Sequence, residues 1–281
     1  MTSPTGRYRD VCGLPRFTRR WRPMWLLTSG VCRTALGLLS AVGPISTTVH
    51  AEATTDRQAG LRPMASTAPI AGRRVPTPVT RDLLRLDLAR VGDALPPGWR
   101  LEPVRGQRPP NTIVVDSGSM RYLRIAGQAR AAFLGYALTP PISETSGALH
   151  WRWRVVRSPD GTDLRTRSGD DAAIRVFVVF RRTGWLNRTP RALFYTIGGA
   201  EPSSYQGRRS FTSPDLYVVR AGAAQDAREW VDVVVDPAAD YRRSWGAEPP
   251  PIEGVGLMQD TDQTHLAAVA DVQSLTWKPR P

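Results

Sequence analysis

Three charged side chains stand in or beside an otherwise apolar segment, SGDDAAIRVFVVF at 168–180. Asp170 and Asp171 precede the apolar run, and Arg175 lies inside it. A buried guanidinium that lacks a partner costs several kcal/mol, so Arg175 must be paired if its strand is buried. Asp171 is four residues away, about 13 Å along an extended chain. We therefore expect the partner of Arg175 to come from another strand.

The segment QDTDQTH supplies a second group of oxygen ligands. Asp260, Asp262 and Thr264 are spaced two residues apart, which places three oxygens on one side of an extended loop. Calcium is bound by such oxygens, and it is the cofactor that this spacing favours. The alternative is that these side chains cap turns and pair with arginines. An EF-hand is excluded, because His265 stands where that loop requires glycine.

The segment DPAADYRRSWG adds two further candidates for ligand binding, Asp240 and Tyr241. The pattern of residues 237–246 predicts a short helix that crosses one end of the fold and stops at Gly246.

Signals for an enzyme are few. The sequence contains no G-x-S-x-G, H-E-x-x-H or P-loop motif. Both cysteines lie before residue 33, and beyond residue 51 only His150 and His265 remain, which argues against thiolate and multi-histidine metal sites. A carboxylate mechanism is still open, in which Asp170 or Asp171 pairs with another aspartate to hydrolyse a glycosidic bond. A polysaccharide lyase would instead use one of three tyrosines, Tyr136, Tyr195 or Tyr241.

Short segments with alternating polarity fill the chain from about residue 80. Gly, Pro, Ser and Asn cluster between them, and no long helical pattern is present. The pattern predicts an all-β protein, an antiparallel β-sandwich or jelly roll of about ten strands. The predicted strands are 84–88, 112–116, 121–125, 131–138, 148–156, 172–180, 192–197, 216–220, 229–236, 254–259 and 267–277.

Two of these strands raise a question of function. In LHWRWRV, Trp151 and Trp153 share one face, while Arg152 and Arg154 share the other. The tryptophans are either core residues or a pair of aromatic platforms on which sugar rings stack. The strand 172–180 is apolar on both faces, so it is either covered on both sides or lines a ligand cleft.

The first half-hundred residues predict export. Seven arginines and one acid lie in residues 1–51, within a chain of net charge +13. A basic segment, an apolar stretch and two small-residue sites at 49–53 are typical of a cleaved signal at 1–51. A membrane anchor is the alternative, although Arg33 interrupts the apolar stretch.

We predict a disordered linker at 52–79, rich in Ala, Thr and Pro, and the sandwich at 80–281. The expected location is the periplasm or the exterior, with no stable membrane span after cleavage. The absence of a basic helix or nucleic-acid motif predicts no nucleic-acid partner.

Four segments in this order, LHWRWRV, GDDAAIRVFVVF, DYRRSWG and DTDQT, resemble the bacterial "domain of unknown function" family numbered 3047. The resemblance covers about residues 84–278. It implies an exported, single-domain β protein and brings no established activity. It also maps the candidate residues onto the family pattern: Trp151, Trp153, Asp170, Asp171, Arg175, Asp240, Asp260, Asp262 and Thr264.

These observations favour a non-catalytic β-sandwich of the cell envelope that binds carbohydrate or another envelope ligand. A polysaccharide hydrolase or lyase is the first alternative, and a purely structural interaction protein, which predicts no cleft, is the second. If the start of strand 172–180 meets the loop after 254–259, Arg175 gains a partner and the rim of the sandwich gains an acidic pocket. Such a pocket serves either as an ion-pair knot or as a ligand site.

Overall fold

The computed structural model describes residues 79–143, 147–182, 190–222 and 229–280. Within these ranges the chain forms thirteen β-strands and one α-helix. The predicted export signal and the predicted linker up to residue 78 lie outside the described residues. The elements are β1 (Arg81–Asp82), β2 (Trp99–Pro103), β3 (Asn111–Asp116), β4 (Arg121–Gln128), β5 (Ala131–Ile142), β6 (Gly147–Arg157), β7 (Ala172–Phe180), β8 (Ala192–Thr196), β9 (Gly207–Arg209), β10 (Leu216–Arg220), β11 (Val231–Val235), α1 (Pro237–Trp245), β12 (Ile252–Asp260) and β13 (Ala267–Pro279).

The strands form two sheets, which confirms the predicted sandwich. The six-stranded sheet has the order β11-β6-β13-β4-β3, with β1 paired to β13. The seven-stranded sheet has the order β2-β5-β12-β7-β8-β10-β9. One pair departs from the antiparallel prediction, since β8 and β10 run parallel. The long connection between them allows a crossover, whereas a tight hairpin would have forced an antiparallel pair.

The inward face of β6 lies in the core between the sheets. Trp151 and Trp153 are 1% and 0% exposed, and the centres of their rings are 5.3 Å apart. The core interpretation of these tryptophans is confirmed, and their interpretation as sugar-stacking platforms is wrong. Indole rings bury a large apolar area, so the inter-sheet space takes them in preference to the solvent face.

Strand β7 is buried on both faces, as its composition predicts. Val176 and Val178 point into the core between the sheets. Phe177 and Val179 point outward into a second apolar cluster on the outer face of the seven-stranded sheet. This outer cluster underlies the candidate site described below.

Helix α1 confirms the prediction for residues 237–246. The Asp236 side chain accepts a hydrogen bond from the Ala239 N–H at 2.9 Å, and Pro237 starts the first turn. Gly246 ends the helix in the left-handed region at φ 65°, where glycine carries no steric penalty. Among the described residues, no helix is long and apolar enough to cross a membrane.

The strand predicted at 84–88 is wrong. Arg85 adopts a left-handed conformation with φ 50°, and a short 3₁₀-helix follows at Leu86–Leu88. Leu83 and Leu84 are both buried, although neighbouring side chains on a strand point in opposite directions. The Asp82 carboxylate accepts the N–H groups of Leu84 and Arg85, and this local turn overrides the alternating pattern.

Candidate functional site

A groove of about 390 Å³ lies on the outer face of the seven-stranded sheet. Its floor is apolar and aromatic, and charged side chains close one end. The floor includes Phe133, Phe194, Val218 and Met258, and the charged end includes Asp170, Arg175, Asp260 and Asp262. Apolar walls with a few converging polar groups are the usual composition of a ligand pocket.

A glycine on β12 makes room for the floor. The Phe177 ring lies over Gly256, where an added Cβ would approach the ring to 2.2 Å and the Leu134 carbonyl oxygen to 2.3 Å. Phe177 in turn packs edge-on against Phe133 at 5.9 Å and tilted against Phe194 at 5.5 Å. A side chain at residue 256 would push this phenylalanine cluster outward into the groove.

Arg175 joins the carboxylates at the charged end. Its guanidinium donates to an Asp170 carboxylate oxygen at 2.8 Å and lies 3.4 Å from the Asp260 carboxylate on β12. The predicted partner from another strand is confirmed in Asp260. The second partner, Asp170, lies only five residues away on the same segment. A turn closed by a hydrogen bond from the Asp170 N–H to the Arg167 carbonyl precedes β7 in place of an extended lead-in. Arg208 on β9 adds a second guanidinium at 2.9 Å from Asp170.

Asp171 points the other way and ties β7 to the loop after β12. One of its oxygens accepts the Gln263 N–H at 3.2 Å. The other accepts the N–H and the hydroxyl of Thr264 at 2.7 and 2.6 Å. Asp171 is 2% exposed, so it does not face the groove. Its role is to hold the loop after β12 against the start of β7.

Three of these carboxylates form a compact acidic cluster. Asp171, Asp260 and Asp262 each bring an oxygen within 4.8 Å of the others, and such a cluster could hold a metal ion. Burial raises the pKa of Asp260 to about 8, and the nearby Asp262 and Asp171 add to the rise while Arg175 opposes it. Of the three predicted calcium ligands, Asp260 and Asp262 lie in the cluster, whereas the Thr264 hydroxyl donates to Asp171.

Asp240 and Tyr241 are not part of this site, which corrects their assignment as ligand-binding residues alongside Asp170. They lie on α1, where the Tyr241 ring packs against Phe180, at the opposite end of β7 from Arg175. Asp240 accepts a hydrogen bond from the Tyr195 hydroxyl at 2.9 Å, and Tyr241 accepts one from Arg191 at 2.9 Å. These bonds fasten the helix to the core.

The buried tyrosines do not suit the lyase alternative. Tyr195 is 0% exposed, and burial raises its pKa well above the ordinary value, with the Asp240 charge adding to the rise. A catalytic base must reach its substrate and ionise readily, and Tyr195 does neither.

Sequence reasoning missed Arg208 and the phenylalanine floor. Strand β9, which carries Arg208, is only three residues long and has no alternating pattern. The second apolar face of β7 was the feature that pointed to the floor. A strand of a two-layer sandwich needs only one apolar face, so a second one indicates that other side chains or a ligand cover it.

This geometry defines the protein as a two-sheet β-sandwich with an open groove on the outer face of one sheet. Residues 97–276 match the family model described as "Protein of unknown function (DUF3047)", and the chain belongs to that family. The match confirms the resemblance found in the sequence. No curated protein matches the chain.

Several solved structures are similar in fold. The family 11 carbohydrate-binding module of the cellulosomal cellulase Lic26A-Cel5E of Clostridium thermocellum is 8% identical, with a TM-score of 0.39, over 73% of this chain and 96% of that one. The Trichoderma harzianum endoglucanase 3 from family GH12 is 10% identical, with a TM-score of 0.38, over 74% and 100%. The CBM22-1 xylan-binding domain from Paenibacillus barcinonensis Xyn10C is 13% identical, with a TM-score of 0.33, over 72% and 92%.

Proposed function

We propose that this protein binds a hydroxyl-rich, uncharged carbohydrate in the groove of the seven-stranded sheet and acts without catalysis. The observation that carries the proposal is the pairing of an aromatic floor with carboxylate acceptors at one end. A purely structural role predicted no cleft, and the described part of the chain has one.

The charges at the groove end favour a hydrogen-bond donor over an anion. Arg175 and Arg208 both face Asp170, and Asp260 and Asp262 lie beside them, so carboxyl groups outnumber guanidinium groups at this end. One oxygen of Asp260 has no hydrogen-bond partner among the described residues. Sugar hydroxyls would donate to Asp262 and would share a hydrogen bond with the free oxygen of protonated Asp260, while the apolar face of the ring would lie on the phenylalanine floor.

We expect the full chain to bind one of three neutral probes, cellohexaose, xylohexaose or galactotriose, in a calorimetric titration. Asp262→Asn should weaken binding about tenfold, because the acceptor of the sugar hydroxyl loses its charge. Phe211→Ala should weaken it about fivefold, since Phe211 lines the groove and offers an exposed ring. Leu88→Ala, which removes an exposed apolar side chain that does not line the groove, should leave binding unchanged.

Failure of all three probes, or equal losses in Phe211→Ala and Leu88→Ala, would contradict the groove as a carbohydrate site. The role of calcium is tested by repeating the titration, and by recording melting curves, with excess calcium and with chelator. Arg175 already supplies positive charge beside Asp260, so we expect excess calcium and chelator to leave both the affinity and the melting temperature unchanged. A calcium-induced rise in melting temperature that disappears in Asp262→Asn would instead place the ion among the aspartates.

A polysaccharide hydrolase is the second candidate, and one geometric observation favours it. Carboxylate oxygens of Asp260 and Asp262 lie within 4.8 Å of each other at the groove end. Glycosidases use a pair of carboxyl groups at the scissile bond, one of them protonated at the working pH. A pKa raised to about 8 keeps Asp260 protonated at neutral pH. New reducing ends in the titration mixtures, abolished by Asp260→Asn, would establish hydrolysis in place of binding alone.

We further propose that the protein acts in the periplasm or outside the cell. The support is the basic, apolar and small-residue pattern of residues 16–53. The mature chain should begin near Glu52 or Thr54, which N-terminal sequencing of protein from the native host would measure. An intact, membrane-held N-terminus would show that the apolar stretch is an anchor.

A further inference from the structure

The outer face of the six-stranded sheet, on the far side of the sandwich from the groove, carries a cross-strand row of side chains. Ile113 on β3 pairs with Arg124 on β4, Arg124 pairs with Asp271 on β13, and Asp271 pairs with Arg154 on β6. Neighbouring strands are about 4.8 Å apart, so the row extends about 14 Å across the sheet. Ile113 is exposed at its end, and both arginines reach solvent.

One carboxylate balances two guanidinium groups in this row. Asp271 is 0% exposed and accepts from Arg124 through Nε at 2.8 Å and Nη2 at 3.0 Å. It also accepts from Arg154 through Nε at 2.8 Å. The three side chains therefore hold one unbalanced positive charge at the surface.

Aromatic rings orient both guanidinium groups. Arg154 lies 5.4 Å from the centre of the Tyr122 ring and 4.8 Å from that of Trp230. Arg124 lies 5.5 Å from the centre of the same Tyr122 ring. Stacking of this kind restricts the arginine planes before any ligand arrives, which lowers the entropy cost of binding.

Several N–H groups of this pair are not used. Among the described residues, Arg154 donates only through Nε and Arg124 only through Nε and Nη2, which leaves three terminal nitrogens for a ligand. We propose that Arg124 and Arg154 form a second binding site, which takes the carboxylate group of an acidic sugar polymer. A planar guanidinium donates two parallel hydrogen bonds to a carboxylate, and the half-buried Trp230 ring adds an apolar surface beside it.

This site differs in chemistry from the groove. The groove end holds more carboxyl groups than guanidinium groups, whereas this face holds two guanidinium groups against one carboxylate. The two sites lie on different sheets, so the loss of one ligand does not imply the loss of the other.

Binding of polygalacturonate by the full chain tests the site, with neutral dextran and dextran sulfate as comparison polymers. We expect polygalacturonate to bind, and we expect its affinity to fall as the salt concentration rises. Its affinity for Arg154→Gln should be about tenfold lower, because that variant loses charge-assisted hydrogen bonds. Arg152→Gln is the matched control. It removes the same charge from the same face of β6, but Arg152 contacts Asp232 at 3.6 Å and stacks on no described ring.

A second variant distinguishes a loss of binding from a loss of folding. Arg154→Lys keeps the charge over Asp271 but loses the planar fork, and it should also weaken binding while the melting temperature stays close to that of the wild type. Absence of polygalacturonate binding, equal losses in Arg152→Gln and Arg154→Gln, or binding of dextran sulfate as tight as that of polygalacturonate would each overturn the proposal.

Discussion

Arg175→Leu should lower the free energy of unfolding by about 3 kcal/mol, the lower end of the cost of removing one partner from a buried ion pair. The Arg175 side chain is 5% exposed and lies between Asp170 and Asp260. The loss is not larger, because Arg208 still faces Asp170 at 2.9 Å and Asp260 is protonated at neutral pH. Chemical denaturation at pH 7 measures the change.

The matched control is Arg152→Leu, a half-exposed arginine in a surface ion pair. It should change stability by less than about 1 kcal/mol. An Arg175→Leu variant as stable as the wild type would show that Arg175 is solvated and free for a ligand.

The pH dependence of Arg175→Leu provides an independent check. Burial raises the folded-state pKa of Asp260 to about 8, above its unfolded value. The stability contributed by this carboxyl is therefore complete below about pH 4 and is lost as the pH rises through 8. Arg175 opposes the rise in pKa, so its removal should make the variant lose more stability between pH 7 and 9 than the wild type does.

Trp153→Ala should lower the free energy of unfolding by about 3–5 kcal/mol, the usual cost of emptying a tryptophan site in a core. Trp153 is 0% exposed and packs on Trp151 between the sheets. Denaturation curves of the purified variant measure the loss.

Trp153→Phe is the matched control for that variant. The Trp153 indole N–H has no hydrogen-bond partner among the described residues, so phenylalanine loses volume but no hydrogen bond and should be much less destabilising. A Trp153→Ala variant that keeps its stability but loses carbohydrate binding would contradict the core assignment.

The local chemistry of several elements was sufficient to predict them. The bounds of β7 at 172–180 follow from an apolar run that only Arg175 interrupts, and the end of α1 follows from Gly246. The alternation in β6 placed Trp151 and Trp153 on one face, although two interpretations of that face were left open. Where a local turn competed with alternation, as at Asp82 and Arg85, the prediction of a strand failed.

Two features follow from the sequence alone: the chain is a β-sandwich of this family, and Arg175 requires a carboxylate partner. Burial periodicity and the cost of a stranded charge are local properties, so residue order is enough to predict them. The folded protein is needed to identify the partners as Asp170 and Asp260 and to show that Arg208 also contacts Asp170. The contact of Arg175 with Asp260 and that of Arg208 with Asp170 depend on strand order and register. Asp260 lies 85 residues from Arg175 along the chain, and strand pairing across the sheet brings the two together.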